Sequence, residues 1–273
     1  MATKSICSVS SAEVVFNHIV ASDFEEQDYV THCHDRCEII FFIKGKATYA
    51  AEGKRYNLGF GDVVLSPPSA MHAVLPSNSE KYERINVIIN EKLLPKTLWE
   101  RIKNAGDVFR CRDNERIVEL FSKLDFYYGK FSDREYSRLV FNIVEEILYN
   151  LSFEKSAEEE MSQNLLLEKA LLYIKDNLTE IKGIEEVSAA LYITKSHLHH
   201  LFSKFLRITP AKYIVSKRLI LARKRIRRGE RPTAIYSECG FEDYATFFRN
   251  YKKYFGYSPT GERDAEIKSN ILS

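Results

Sequence analysis

The hydrophobic period of this chain changes once, and that change divides what the chain can fold into. Over residues 14–90 the apolar residues fall in short β-branched and aromatic runs: EIIFFIKG, KATYAAEG, KRYNLG, DVVLSP and YERINVIIN. Gly45, Gly53, Gly59, Gly61 and Pro67-Pro68 punctuate them. Short strands at close spacing with turn residues between them predict an all-β sandwich or barrel. From Asn114 the period becomes helical. ERIVELFSKLDFYYGKF and SDREYSRLVFNIVEEILYNLSF repeat apolar residues at i, i+3, i+4 and i+7, as amphipathic helices do. Ser132, followed three residues later by Glu135, predicts a capping box at the start of the second. Residues 154–163, EKSAEEEMSQ, are charged and lack a hydrophobic face, which predicts a linker. Leu165 to Ile267 reads as helix throughout. The expected organisation is α+β in two domains, 1–153 and 164–273.

Charge changes sign at the same place. The chain carries a net +2, but residues 1–163 sum to −6 and residues 164–273 to +8. A basic half tethered to an acidic half suggests a polyanion binder joined to something else. No apolar run approaches the roughly 20 residues of a membrane span. The first residues, MATKSICSVSSAEVV, lack the apolar core of a secretory signal. Five scattered cysteines (7, 33, 37, 111 and 239) fit reduced thiols better than a disulfide frame. The expectation is a cytoplasmic protein with no membrane partner.

The stretch from Ala234 to Arg263, AIYSECGFEDYATFFRNYKKYFGYSPTGER, carries the most functional information. It predicts a helix over Thr233–Glu238, a turn at Cys239-Gly240-Phe241, and a second helix stopped by Gly256 and Pro259. That is a helix-turn-helix outline, whose second helix can lie in a DNA major groove. Phe241, Phe247, Phe248, Tyr251, Tyr254 and Phe255 would hold the unit together, leaving Tyr244, Ala245, Arg249 and Lys252 outward. A second outline lies upstream, in IEEVSAALYITKSHLHHLFSKFLRITP. There Thr194 is the expected N-cap of a helix from Lys195 to about Leu206. A long basic helix, AKYIVSKRLILARKRIRRG, joins the two.

Over about 100 residues, Leu165 to Arg263, this pattern resembles the DNA-binding domain of the AraC/XylS family of transcription regulators. The resemblance is carried by the Gly-Phe turn, Arg249 eight residues after Phe241, Lys252-Lys253 and Phe-Gly-Tyr-Ser-Pro. Arg207 stands where the family usually has Gly, His200 where a base-reading Arg is common, Tyr236 for a small residue, and Glu262 for an aromatic. Two recognition helices on one unit could enter successive major-groove segments, about 34 Å apart. The candidate base-facing residues are Lys195, Ser196, His199 and His200 in the first helix, and Tyr244, Ala245, Thr246 and Arg249 in the second. Arg249 is the candidate for a bidentate contact to guanine. Lys204, Lys252 and Lys253, with Arg223, Lys224, Arg227 and Arg228 of the joining helix, are candidates for phosphates. His197, His199 and His200 do not converge on one ion, because consecutive helix positions point apart.

The acidic half has its own cluster: His32-x-His34-x3-Glu38-x6-Gly45, then Gly61-x5-Pro67 and His72. On an extended strand His32 and His34 share one face and Cys33 takes the other. The cluster resembles the two cupin motifs, in which three His and a Glu bind a divalent metal inside a small β-barrel of jelly-roll type. Ser69 and Pro76 depart from the second motif. Three imidazoles and a carboxylate suit Fe, Mn, Zn or Ni. Sugar-responsive members of the AraC family carry similar residues facing an organic ligand, and an apolar pocket with a few convergent polar groups is the ordinary small-molecule site. The expected effector-binding residues are therefore His32, His34, Glu38, His72, Tyr49 and Arg84, with Tyr56, Tyr82 and Trp99 as further candidates for the pocket wall. No cofactor is required; a divalent metal at His32, His34, Glu38 and His72 is the alternative occupant.

The expectation is thus a non-enzymatic regulator that binds promoter DNA and senses a small molecule, with a carbohydrate foremost. The resemblance further implies a homodimer built on a helix between Asn114 and Phe153, and contact with RNA polymerase. The rival is a metal-dependent cupin enzyme, or a metal or redox sensor, fused to a DNA-binding module.

Overall fold

The computed structural model describes residues 2–11, 13–22, 31–76, 81–157 and 164–262. Residues 158–163 of the expected linker, and Arg263 with the ten residues after it, lie outside them.

The acidic half is built on two antiparallel sheets. The larger has the order β1 (Ala2–Ser10), β2 (Val14–Ser22), β8 (Tyr82–Ile89), β3 (Cys37–Lys44), β6 (Asp62–Ser66), β9 (Val108–Arg110). The smaller has the order β5 (Lys54–Leu58), β4 (Ala47–Ala51), β7 (His72–Pro76). The expected barrel thus takes the form of two sheets that do not close on one another.

At its centre the large sheet is buried on both faces, and the alternation of β3 shows how. Cys37, Ile39 and Phe41 join Phe16, Val63 and Val87 in a core shared with three helices, α1 (Lys96–Lys103), α2 (Glu115–Tyr127) and α3 (Asp133–Leu151). Phe41 stacks on Phe121 of α2, ring centroids 4.4 Å apart. Ile40 and Phe42 point the other way and pack with Tyr49, Tyr56, Leu58 and Val74 of the small sheet. Burying each such side chain contributes roughly 1.5–3 kcal/mol. Glu38 falls on that inner face, a carboxylate at a position the period reserves for an apolar residue. The capping box expected at α3 is present: Ser132 Oγ accepts from the Glu135 N–H and Glu135 reaches back to the Ser132 N–H. Beyond α3, Ser156 makes a bridge with Phe109 of β9, so the first part of the expected linker is fastened to the sheet edge.

The basic half is helical: α4 (Leu165–Asp176), α5 (Ile184–Ala190), α6 (Lys195–Leu206), α7 (Pro210–Arg227), α8 (Pro232–Ile235) and α9 (Tyr244–Phe255). The long α7 is shared by two cores. Tyr213, Ile214 and Ile220 pack with α4, α5 and α6, whereas Leu219, Ala222 and Ile226 pack with Ile235, Phe241, Phe247 and Tyr251. α8 is shorter than the expected Thr233–Glu238, because the chain passes through turns from Tyr236 to Gly240. Gly240 holds φ +86°, and a Cβ there would come within 2.5 Å of Arg218 Nε. Arg218 leaves no room because it is buried and donates to the carbonyls of Leu178 and Ile181.

Candidate effector site and nucleic-acid interface

The segment Thr31–Arg36 brings the histidines to the sheets. His32 and His72 exchange both backbone hydrogen bonds, at 3.0 and 2.9 Å, and the His34 carbonyl accepts from the Ser69 N–H at 2.7 Å. His32, His34, Glu38 and His72 thereby meet, each offering a ligand atom within 4.8 Å of the others. They form the single such cluster among the described residues, and the α6 histidines do not form one. His72 and Glu38 are buried, His34 is half-buried and His32 is exposed, so the cluster opens to solvent on the His32 side.

Glu38 is the hub. Its Oε2 lies 2.7 Å from His72 Nε2 and 3.3 Å from His34 Nε2, and its Oε1 accepts from Asn86 Nδ2 at 2.8 Å. Burial alone would raise the carboxyl pKa, but the hydrogen bonds from His34 and His72 and the charge of Arg84 outweigh it and hold it well below the usual range. Asn86 escaped sequence reasoning. Its signal was a lone amide between Ile85 and Val87 in an otherwise apolar strand.

The histidine tautomers add a further constraint. His34 Nδ1 faces the Arg36 carbonyl at 2.9 Å, and His72 Nδ1 faces the Ala70 carbonyl at 3.0 Å and Ser66 Oγ at 2.9 Å. A carbonyl only accepts, so each Nδ1 carries a proton. In a neutral imidazole the Nε2 atoms then present lone pairs to a carboxylate. At 2.7 and 3.3 Å from Glu38, those Nε2 atoms are placed either to donate to the carboxylate or to share a cation beside it. Nδ1–H bonded to backbone carbonyls is the arrangement that orients histidine ligands to metals. The four residues fit a divalent metal by donor type and by this outer shell.

The other expected pocket residues divide. Tyr49 is fully buried beside His72, ring centroids 6.3 Å apart, and burial holds its phenol pKa well above the ordinary value. Arg84 lies over the Tyr82 ring at 5.6 Å and acts on Glu38 through charge rather than contact. Tyr56 donates to Asp107 at 3.1 Å within the inner core. Trp99 is not at the site: it lies on α1, on the opposite side of the large sheet, because its neighbours Leu98 and Ile102 turn that helix towards the sheet's outer core.

In the basic half each recognition helix starts at a side-chain cap. Thr194 Oγ1 accepts from the His197 N–H at α6, and Asp243 Oδ1 accepts from the Thr246 N–H at α9. Lys195, Ser196, His200 and Lys204 are exposed on α6, and His199 is half-buried. Lys195 pairs with Glu185 at 3.0 Å. On α9, Ala245, Arg249, Lys252 and Lys253 are exposed, and Arg249 donates to Thr246 Oγ1 at 3.0 Å. Tyr244 is half-buried; its ring packs edge-on against Tyr236, 5.7 Å away, which gives the unusual Tyr236 a role.

Two of the expected phosphate contacts are corrected. Arg223 and Arg227 point inwards, both to Asp35 of the sensor half (3.2 and 2.6 Å) and both to the buried Glu262 (3.0 and 2.7 Å). Tyr251 also donates to Glu262 at 2.6 Å. The carboxylate therefore stands where the family has an aromatic because two guanidinium groups and a phenol need an anion there. Lys224 and Arg228 remain exposed.

Two sheets carrying a polar cluster, followed by paired helix-turn-helix units on one shared helix, define a DNA-binding regulator with a ligand-binding domain. The comparisons agree with that architecture. Residues 19–125 match the AraC-like ligand binding domain, and residues 187–265 match a helix-turn-helix domain. LumQ of Photobacterium leiognathi, described as a probable transcriptional regulator, is 30% identical over 232 residues, spanning 84% of this chain and 90% of that protein. The lactose operon transcription activator of Staphylococcus xylosus is 25% identical, spanning 81% of each. Among solved structures, ToxT of Vibrio cholerae is 14% identical, covers 96% of this chain and 98% of that one, and gives a TM-score of 0.39. The chain belongs to the AraC family of transcription regulators.

Proposed function

We propose that the His32–His34–Glu38–His72 cluster is the effector site of this regulator, and that Arg249 is its principal base-reading residue. The observation that supports the first part is the buried Glu38 carboxylate with two imidazoles and an amide turned onto it. What distinguishes Glu38 from a carboxylate paired only for stability, such as Glu262, is that its cluster opens to solvent at His32, where a small molecule could enter. A carbohydrate is the first effector class to test. Hydroxyl groups can accept from imidazole or amide N–H groups and donate to a carboxylate, and the S. xylosus relative is named for a lactose operon.

The tautomer constraint supports a second reading, a divalent cation held by the same four residues. Neither reading requires a catalytic step. Lys195, Ser196, His199, His200, Tyr244, Ala245 and Thr246 would contact base edges, and Lys204, Lys252 and Lys253 phosphates. A homodimer, contact with RNA polymerase and a cytoplasmic setting complete the proposal. No helix among the described residues is long and apolar enough to cross a membrane.

Thermal-shift titration of the full chain with a panel of sugars, and separately with Zn²⁺, Ni²⁺, Mn²⁺ and Fe²⁺, tests the site. A shift abolished in His32→Ala/His72→Ala supports it and names the class. A shift that survives the double substitution places the effector elsewhere.

A further inference from the structure

The segment that carries His32 and His34 has a second face. Thr31, Cys33 and Asp35 alternate with the two histidines and point into the DNA-binding half. Thr31 Oγ1 donates to the Leu206 carbonyl, the last residue of α6, at 2.6 Å. Tyr254, near the end of α9, donates to the Cys33 carbonyl at 2.8 Å, and Cys33 Sγ lies 3.2 Å from the same hydroxyl. Asp35 pairs with Arg223 and Arg227 of α7. One extended stretch of five residues therefore touches both recognition helices and the helix that joins them, while its alternate residues build the polar cluster.

A second set of contacts runs beside it. Glu52, at the β4–β5 turn, accepts from Lys217 Nζ at 2.5 Å, from the Tyr213 hydroxyl at 2.6 Å and from the Met71 N–H at 2.7 Å. Lys217 also donates to the Ser69 carbonyl at 2.6 Å, and the Ser69 N–H is the group bonded to His34. Arg55 reaches the Lys204 carbonyl at 2.8 Å. The routes through Asp35 and Lys217 thus run along backbone that the histidines anchor.

We propose that Thr31–Asp35 is the coupling element between the two halves: its even residues take the effector and its odd residues clamp the DNA heads, so that occupying the cluster and releasing the heads are linked. This rests on the cluster being the effector site. The physical basis is the period of an extended strand. A shift that draws His32 and His34 towards an occupant carries Thr31, Cys33 and Asp35 with it, since neighbouring side chains share the same backbone on opposite faces. Asp35 is the most sensitive contact, because its departure leaves Arg223 and Arg227 with one shared carboxylate, Glu262, where there were two. By linkage, a variant that frees the heads also alters how the cluster binds.

Cys33 provides a readout that needs no effector. It is buried against Tyr254, and the other four cysteines are buried within the two domain cores. The labelling rate of Cys33 by a thiol reagent, assigned by peptide mass, reports opening of the clamp in the full chain. Asp35→Asn should raise that rate about tenfold and tighten binding to duplex DNA. Glu38→Gln, which touches no residue of the DNA-binding half, should raise it at least severalfold. His32→Ala, which removes an exposed ring and leaves the backbone pair with His72 intact, should shift the rate as well and cannot fail through misfolding of a core. An unchanged rate in Asp35→Asn would overturn the clamp. A rate raised by Asp35→Asn but unmoved by both Glu38→Gln and His32→Ala would overturn the coupling. Failure of the effector reading shows separately, as ligand shifts that persist without His32 and His72 while these labelling rates stand.

Discussion

At the scale of single residues, His18 shows how charge fixes the sensor half to its helices. Its Nδ1 lies 2.8 Å from Asp125 of α2 and its Nε2 3.1 Å from Glu83 of β8. The hydrogen bond that His18 Nδ1–H donates to Asp125 raises the imidazole pKa above its ordinary value against the opposing effect of burial, and Glu83 adds to it. A raised histidine pKa stabilises the fold fully below the unfolded value, about 6.5, and the gain is lost as pH rises through the higher folded value. His18→Gln should therefore be destabilised relative to wild type most at acid pH, with the difference shrinking above about pH 6.5 in urea-unfolding midpoints. Arg249→Ala should lower affinity for a cognate operator by about 1–3 kcal/mol and blunt its preference over random duplex; equal loss on both DNAs would show a phosphate contact instead. Gly240→Ala combines a left-handed backbone with a clash against Arg218 and should cost on the order of 1–3 kcal/mol of stability. The sequence disclosed Gly240 and Glu38 through their positions in a pattern. It did not disclose what Asp35 and Glu262 bind: Glu262 stood out only as a departure from the family's aromatic, and the arginines facing either carboxylate are known only from the tertiary structure.

At the scale of elements, period and caps were legible and closure was not. The apolar run of β3 and the Ser132–Glu135 box could be read because both depend on neighbours in sequence. That the two sheets stay open depends on pairing between distant strands, which no local spacing records. α8 was overestimated because the turn at Tyr236–Gly240 begins before its apolar period ends. The helix with most dependent on it is α7, capped by Thr209, whose hydroxyl accepts from the Lys212 N–H. Thr209→Ala should cost about 1 kcal/mol of stability. Since both helix-turn-helix cores share α7, their unfolding should move together in hydrogen exchange; separate transitions would show that the two units fold independently.

At the scale of the whole molecule, the net +8 of the basic half overstates what it offers to DNA. Arg218, Arg223, Arg225 and Arg227 are engaged by carbonyls and carboxylates within the protein. Of the residues expected to meet DNA, Lys204, Lys224, Arg228, Arg249, Lys252 and Lys253 are exposed, and the exposed Lys195 is paired with Glu185. Replacing Lys252 and Lys253 with Ala should reduce the slope of log K against log salt by up to about 2 while leaving operator preference intact. The division of charge was visible in composition; which charges are internal was a matter of tertiary contact.

The odd residues of Thr31–Asp35 and the arginines of α7 come from opposite ends of the chain, 188 residues apart for Asp35 and Arg223. Relatives that exchange sensor domains through recombination would break this pair unless both sides travel together. A hybrid joined at residues 158–163 would keep its operator and its ligand yet lose the response, until Asp35 and Glu52 were grafted back to meet Arg223, Arg227 and Lys217. If Thr31–Asp35 couples the two halves, responsiveness rests on these matched positions and not on either domain alone.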